Sequence, residues 1–240
     1  MPDIAARRQR IEVTDLGLAL LALATGSADV TAFLTLGNVF TSAMTGNAAL
    51  LIIALSQARM LAAFHSLVAL FGFICGAALA TTICDPAGTN MSPLPALRTL
   101  FILEVACLVG FAVSCNCAGH PANGLVVYGL ILLSAVAMGI QGVAARHINA
   151  PGINTIVFTS TLVSIVTSVT RHFVSRSESP TAQFATGRQI AIFLAYGTGA
   201  ALAGFLVLRH FQLFPWIPVA AVVLALGCYR VAHKQERSVP

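Results

Sequence analysis

Residues 61–83 read LAAFHSLVALFGFICGAALATTI, and this stretch decides the fold. It contains no Asp, Glu, Lys or Arg, and as a helix it is long enough to cross a hydrocarbon core of about 30 Å. A helix of this length on the surface of a soluble protein would carry charged residues on its exposed face. The stretch therefore predicts a transmembrane helix.

The rest of the chain repeats this pattern. Seven further apolar stretches have a suitable length: 16–36, 39–57, 97–115, 124–145, 152–171, 188–208 and 214–230. The 240 residues are 58% apolar and only 9% charged, with a mean hydropathy of +0.88, whereas an ordinary soluble domain is about 25% charged. We predict an all-α polytopic transmembrane helix bundle of eight helices in one domain, 1–240, with six crossings as the alternative.

The positive charges favour a membrane orientation rather than a nucleic-acid partner. The net charge is +5, but the cations lie at the two termini and in the connections, without a basic stripe interleaved with aromatic residues. With eight crossings, only Arg98, Arg146 and Arg209 would lie on the outer side. The positive-inside rule then predicts that both termini are cytoplasmic, with a cytoplasmic loop over residues 172–187.

Two parts of the chain, about 14–116 and 122–232, resemble each other. Three pairs of motifs recur in the same order: GSAD at 26–29 and GIQG at 139–142, TGN at 45–47 and TST at 159–161, and GAALA at 76–80 and 199–203. We interpret them as an internal repeat. Eight crossings would make the two halves parallel, and six crossings would make them inverted; transporters are built in both ways.

Polar residues inside the apolar stretches are the candidates for a binding site, because buried acids are costly in a membrane and commonly functional. Asp29, Glu104 and Thr45 are each expected roughly 10–12 Å below the outer boundary, at 1.5 Å of rise per residue. The candidates for substrate or ion binding are Asp29, Thr45, Gly46, Asn47, Glu104, Gln141, Asn154 and Thr159.

Each candidate has a chemical role and a structural alternative. The two carboxyl groups would load and release protons, since low dielectric favours their neutral form. The amides and hydroxyls would donate and accept hydrogen bonds, and Gly46 would let a ligand approach the backbone. In the alternative, the carboxyl groups only lock helices together. No cofactor or metal is expected, because the six cysteines and six histidines form no metal-binding spacing and no nucleotide-binding motif occurs.

The sequence also resembles a known family. Residues 26–47, GSADVTAFLTLGNVFTSAMTGN, are similar to the opening signature of the YoaK-like bacterial membrane proteins. MGIQ at 138–141 with Arg146, and PGINT at 151–155, resemble the second signature. Gly142 and Ser160 depart from it, where Asn and Gly are usual. The resemblance implies a multi-pass protein of the bacterial inner membrane, and it implies no substrate or reaction.

These observations lead to one hypothesis and two alternatives. The leading hypothesis is a small secondary transporter or permease, not an enzyme, with a polar site between two repeated halves. The alternatives are a structural or regulatory membrane subunit and, less favoured by the scattered histidines, an enzyme acting on lipid. The expected partners are the lipid bilayer, a small solute or ion of unknown identity, and a second copy of the chain, but no nucleic acid.

Overall fold

The described part of the chain is helical throughout, apart from short turns. A computed structural model describes the backbone of residues 2–85, 93–118, 124–148, 158–175, 180–209 and 212–237, and the side chains of 12–85, 95–117, 124–148, 161–171, 186–209 and 212–232. The helices are α1 (Pro2–Thr35), α2 (Met44–Ser56), α3 (Met60–Cys84), α4 (Pro93–Ala118), α5 (Leu125–His147), α6 (Phe158–Ser175), α7 (Pro180–Leu208) and α8 (Trp216–Arg237). The predicted all-α bundle is confirmed.

The apolar surface points outward, as lipid requires. Five helices are long and apolar enough to span a bilayer: Glu12–Thr35, Met60–Cys84, Pro95–Cys117, Leu125–His147 and Thr186–Leu208. On α3 the large side chains of Phe64, Phe71 and Ile74 are each about 60% exposed, although in water they would be the first to be buried. In lipid such exposure costs nothing, because the surrounding acyl chains are equally apolar.

Helices α1 and α5 form the centre of the bundle. Leu21 of α1 and Met138 of α5 belong to one core cluster with Phe101 and Leu108 of α4 and Val222 of α8. Helices α3 and α7 pack outside this centre, α3 on α5 and α7 on α1.

Small residues allow these outer helices to approach the centre closely. Gly26 of α1 lies against the backbone of Tyr196 in α7, and Gly199 lies against that of Leu23. Helices α3 and α5 repeat this arrangement, with Gly76 against Val136 and Gly139 against Phe73. Each glycine is needed, because a Cβ atom there would collide with a backbone carbonyl oxygen.

The contacts fix the direction of each long helix. Helices α1 and α7 run parallel, since Asp15 pairs with Arg188 near their starts and Val30 meets Gly204 further along. Helices α3 and α5 also run parallel, since His65 contacts Tyr128 and Gly76 meets Val136.

The remaining pairs are antiparallel. In α1 and α5, Gln141 reaches Leu21, whereas Leu36 clusters with Val127 and Ile131. In α4 and α8, Phe101 contacts Tyr229, and Asn116 lies beside Trp216. Helix α4 runs parallel to α1, since Phe101 clusters with Leu21 and Phe111 clusters with Leu36. The six helices α1, α3, α4, α5, α7 and α8 therefore alternate in direction along the chain.

The eight predicted helices are present, and this alternation favours six crossings, the alternative that the sequence left open. Helix α2 has 13 residues, about 20 Å at 1.5 Å per residue, too short for a core of about 30 Å. Because α1 and α3 point in opposite directions, the segment between them begins and ends at the same end of the bundle. The same holds for the segment between α5 and α7, which contains α6. The six-crossing alternative fits the structure, and the stretch 39–57 enters the bundle without crossing it.

With six crossings, most of the described Lys and Arg residues lie at one end of the bundle. At the end where α1 begins lie Arg7, Arg8, Arg10, Arg98, Arg146, Arg171, Arg188, Arg230, Lys234 and Arg237. Among the described residues, only Arg59 and Arg209 lie at the other end.

Helices occupy most of residues 172–187, where the sequence predicts a cytoplasmic loop. Helix α6 extends to Ser175 and α7 already begins at Pro180. Proline suits the first turn of a helix, where its missing N–H has no intrahelical acceptor. Further along, Arg188 of α7 pairs with Asp15 of α1 at 2.7 Å, which anchors the start of α7 to the bundle.

Candidate functional site

Asp29 clamps the segment that leads into α2. Its Oδ1 accepts hydrogen bonds from the backbone N–H groups of Thr41 at 2.8 Å and Ser42 at 2.7 Å. Its Oδ2 accepts one from the Ser42 hydroxyl at 2.6 Å. The carboxyl group is fully buried, and these donors replace the water that it gives up on burial. Asp29 thus draws the chain after α1 back into the bundle.

Asn47 holds the same segment from its other side. Its Nδ2 donates to the carbonyl oxygen of Phe40 at 2.6 Å, and its Oδ1 accepts from the N–H of Phe40 at 2.9 Å. The Phe40 ring stacks on Phe33 at 5.0 Å between centroids and covers Gly46. A side chain at Gly46 would press on that ring. Helix α2 therefore begins five residues later than predicted, because residues 40–42 use their backbone groups in this clamp.

Thr45 is the member of the motif that the clamp leaves free. It lies on the first turn of α2, and its side chain is exposed. The TGN motif at 45–47 therefore has two parts. Gly46 and Asn47 shape the chain, whereas only Thr45 points away from it.

Tyr196 extends the clamp to a third helix. Its hydroxyl donates to Oδ2 of Asp29 at 3.1 Å, and so joins α7 to α1 and to the segment before α2. Sequence reasoning missed Tyr196, Thr41 and Ser42. The only signal for Tyr196 was its position three residues before Gly199, on the face that packs against α1.

Glu104 is in the opposite situation. It is 0% exposed on α4, and neither carboxyl oxygen has a hydrogen-bond partner among the described residues. Its helix neighbours Phe101 and Leu108 belong to the apolar core between α1, α5 and α8. Buried polar groups in native proteins are nearly always hydrogen-bonded. This conformation leaves the bonding capacity of Glu104 unused.

Gln141 joins the two central helices. Its Nε2 donates to the carbonyl oxygen of Leu21 at 2.9 Å and to the hydroxyl of Thr25 at 2.7 Å, both on α1. Its Oε1 is buried without a partner in the described structure, as are the hydroxyls of Thr31 and Ser134. Sequence reasoning missed these two hydroxyls, because Thr and Ser are common in membrane helices.

The predicted binding-site residues thus divide into two groups. Asp29 and Asn47 satisfy their hydrogen bonds within the clamp, and Glu104 and Gln141 lie in the core between the central helices. No hydrogen bond joins the two groups within the described residues. Asn154 lies outside the described residues, and of Thr159 only the backbone, in α6, is described.

The chain from residue 17 to residue 228 matches a family described as a protein of unknown function, DUF1275. The chain belongs to the DUF1275 family. It is 34% identical over 206 residues to the UPF0700 transmembrane protein YoaK of Bacillus subtilis (strain 168), which covers 85% of this chain and 89% of that protein. The predicted family is confirmed. No solved structure matches the chain.

The DUF1275 match includes every residue of both polar groups, together with the four glycines of the close helix contacts. It begins after Asp15, so the ion pair with Arg188 is only partly inside it. Among the described side chains of this DUF1275 protein, no group of three His, Cys, Asp or Glu residues could hold a metal ion.

Proposed function

We propose that this transmembrane protein is a small secondary transporter of the bacterial inner membrane, in which Glu104 carries the coupling proton. The observation that carries the proposal is the complete burial of Glu104 without a hydrogen-bond partner in the described structure. An ionisable residue in a membrane interior is costly to retain and usually marks a substrate, ion or proton pathway. A purely structural carboxyl group would be expected to resemble Asp29, with its bonds satisfied.

The architecture supports alternating access between two repeated halves. Gly26 packs on α7 as Gly139 packs on α3, and these two glycines head the recurring motifs GSAD and GIQG. Gly199 and Gly76, which head the two GAALA motifs, complete the same pair of contacts. With six crossings the halves are inverted, so each conformation that opens one end has a counterpart that opens the other.

The surroundings of Glu104 indicate how it would bind and release a proton during transport. In this closed conformation the neutral carboxyl group is favoured, because an unpaired charge in a low dielectric costs several kcal/mol. A change that admits water or a cationic partner from one end would favour release of the proton. The bond from Gln141 to Leu21 and Thr25 lies across the central helices and would have to adjust during that change.

The charge distribution supports an orientation with both termini in the cytoplasm. The end of the bundle where α1 begins holds nearly all described Lys and Arg residues. Cytoplasmic connections of bacterial inner-membrane proteins carry this excess. The end with Arg59 and Arg209 would then face the periplasm.

Solute-driven proton movement tests the proposal. The purified protein is reconstituted into liposomes that contain a pH-sensitive dye, and a panel of sugars, amino acids, organic acids, organic cations and inorganic ions is added outside. We expect at least one class to move protons in the parent protein, and we expect Glu104→Gln to abolish that movement. Gly197→Ala serves as a folded control, because no atom lies within 4 Å of the added methyl group. Absence of proton movement across the panel, or unchanged movement in Glu104→Gln, would overturn the proposal.

A non-transporting structural or regulatory subunit is the second candidate. The clamp favours it, because Asp29 and Asn47 satisfy their bonds within the chain. In that case no solute should move protons, and the protein should instead co-purify with a stable partner after mild solubilisation.

A further inference from the structure

An open pocket of about 270 Å³ lies between α1, α2 and α3, at the end of the bundle where α1 ends. Phe33, Leu50 and Ile53 form an apolar wall, and Asn38, Arg59 and Ser66 add polar groups. No described acidic residue lines it. The pocket is therefore apolar on one side and positively charged on the other.

Two features of the pocket attract an anion. Arg59 is the residue before the first turn of α3, and its guanidinium has one hydrogen bond within the described residues, to Gln57 at 3.3 Å. The first amides of a helix have no intrahelical acceptor and carry partial positive charge. Arg59 and the start of α3 thus present positive charge from the side chain and the backbone together.

Ser66 is the independent sign of a ligand. Its side chain lines the pocket although the residue is only 2% exposed. It takes part in none of the hydrogen bonds of the described structure. Its hydroxyl is therefore available to bond to a molecule in the pocket.

We propose that this pocket binds a small amphiphilic monoanion, a carboxylate that carries a short branched or aromatic hydrocarbon group. The carboxylate lies by Arg59 and the first turn of α3 and accepts a hydrogen bond from Ser66, and the hydrocarbon group packs on Phe33, Leu50 and Ile53. Pockets for drug-sized ligands begin at about 300 Å³, so this one admits only a small molecule. The site goes beyond the proposed transport function, because binding requires neither flux nor Glu104.

Binding of benzoate to the purified full-length protein in phosphatidylcholine nanodiscs, measured by titration calorimetry, tests the proposal. Benzamide has the same shape without the charge and is expected not to bind. Arg59→Gln is expected to weaken benzoate binding at least about tenfold, and Ser66→Ala roughly threefold to tenfold, as for loss of charged and neutral hydrogen bonds. Arg209→Gln is the matched control, because Arg209 lies at the same end of the bundle, over the Phe205 ring at 5.4 Å.

A lipid headgroup offers the same chemistry, an anion attached to hydrocarbon, and a second measurement separates the two sources. Native mass spectrometry of protein extracted from phosphatidylglycerol membranes would show one retained lipid, lost in Arg59→Gln but not in Arg209→Gln. That result would support the anion site with the lipid headgroup at Arg59 and the acyl chains outside the pocket. Equal binding of benzoate and benzamide, unchanged binding in Arg59→Gln, or retention of neither ligand would overturn the proposal. A protein that does not transport would still bind, so the two proposals fail separately.

Discussion

The hydroxyl of Tyr196 donates a hydrogen bond to Asp29 across 3.1 Å, and this one bond ties α7 to the re-entering segment that precedes α2. The same carboxyl group holds Thr41 and Ser42 from within α1. Asp29, a candidate for proton transfer from the sequence, is thus the common anchor of three parts of the chain.

Variants that remove part of the clamp around Asp29 should lower the free energy of unfolding, by an amount that grows with the number of hydrogen bonds lost. Tyr196→Phe removes one hydrogen bond and should lower the free energy of unfolding by about 1 kcal/mol. Asp29→Asn keeps one oxygen for the backbone N–H groups of Thr41 and Ser42, but it replaces the oxygen that accepts from the Ser42 and Tyr196 hydroxyls with an NH2 donor. It should cost about 2 kcal/mol. Thermal unfolding in detergent measures both, with Thr45→Ala as a control expected to change little. An Asp29→Asn protein as stable as the parent would contradict the clamp.

Glu104→Gln should behave differently from Asp29→Asn. Because neither oxygen of Glu104 bonds to a described group, an amide of equal size removes no such bond, and the free energy of unfolding should change by less than about 1 kcal/mol. Proton-coupled flux should nevertheless disappear. Unfolding curves and liposome assays on the same preparation separate the two effects. A loss of stability as large as in Asp29→Asn would indicate a structural role for Glu104.

Gly199→Ala should strongly destabilise the contact between α1 and α7. A methyl group at Gly199 would collide with the Leu23 carbonyl oxygen, and a backbone atom cannot turn aside as a side chain would. We expect a loss of about 3 kcal/mol, at the upper end of overpacking costs. Gly197→Ala is the matched control on the same helix, since no atom lies within 4 Å of its added methyl group. Equal unfolding temperatures for the two variants would exclude the close approach.

Gln141→Met should weaken the contact between the central helices. Methionine has a similar length but lacks the donor that reaches Leu21 and Thr25. We expect a loss of about 1–2 kcal/mol in unfolding free energy, the range for a buried hydrogen bond. Thr25→Val should cost less, because Leu21 can still accept from Gln141. A combined variant that loses the sum of the two single effects would show that the two groups do not interact.

The re-entry of α2 predicts a specific labelling pattern. In a cysteine-free background with both termini cytoplasmic, Gln57→Cys should react with a membrane-impermeant maleimide in intact cells, because 57 lies at the outer end. Asp85→Cys should react only after the inner membrane is opened. Eight crossings would reverse both results, so the pair of positions decides between the topologies.

The sequence by itself determined the fold class, the family and most of the long helices. Runs such as 61–83 carry no charged residue over a length that spans a bilayer, which indicates a transmembrane helix from composition alone. Asp29 and Glu104 could also be recognised from the sequence as acids inside the membrane, because carboxyl groups are rare in such runs.

Only the tertiary structure decided how those acids are bonded and in which direction each long helix runs. Hydropathy measures composition along the chain, so 39–57 resembles a span in sequence, although Asp29 and Asn47 hold its first residues outside the helix. Asp29 and Glu104 look alike in sequence, yet one accepts hydrogen bonds from three residues and the other from none in the described structure. That difference depends on groups up to 167 positions away, and no local pattern contains them.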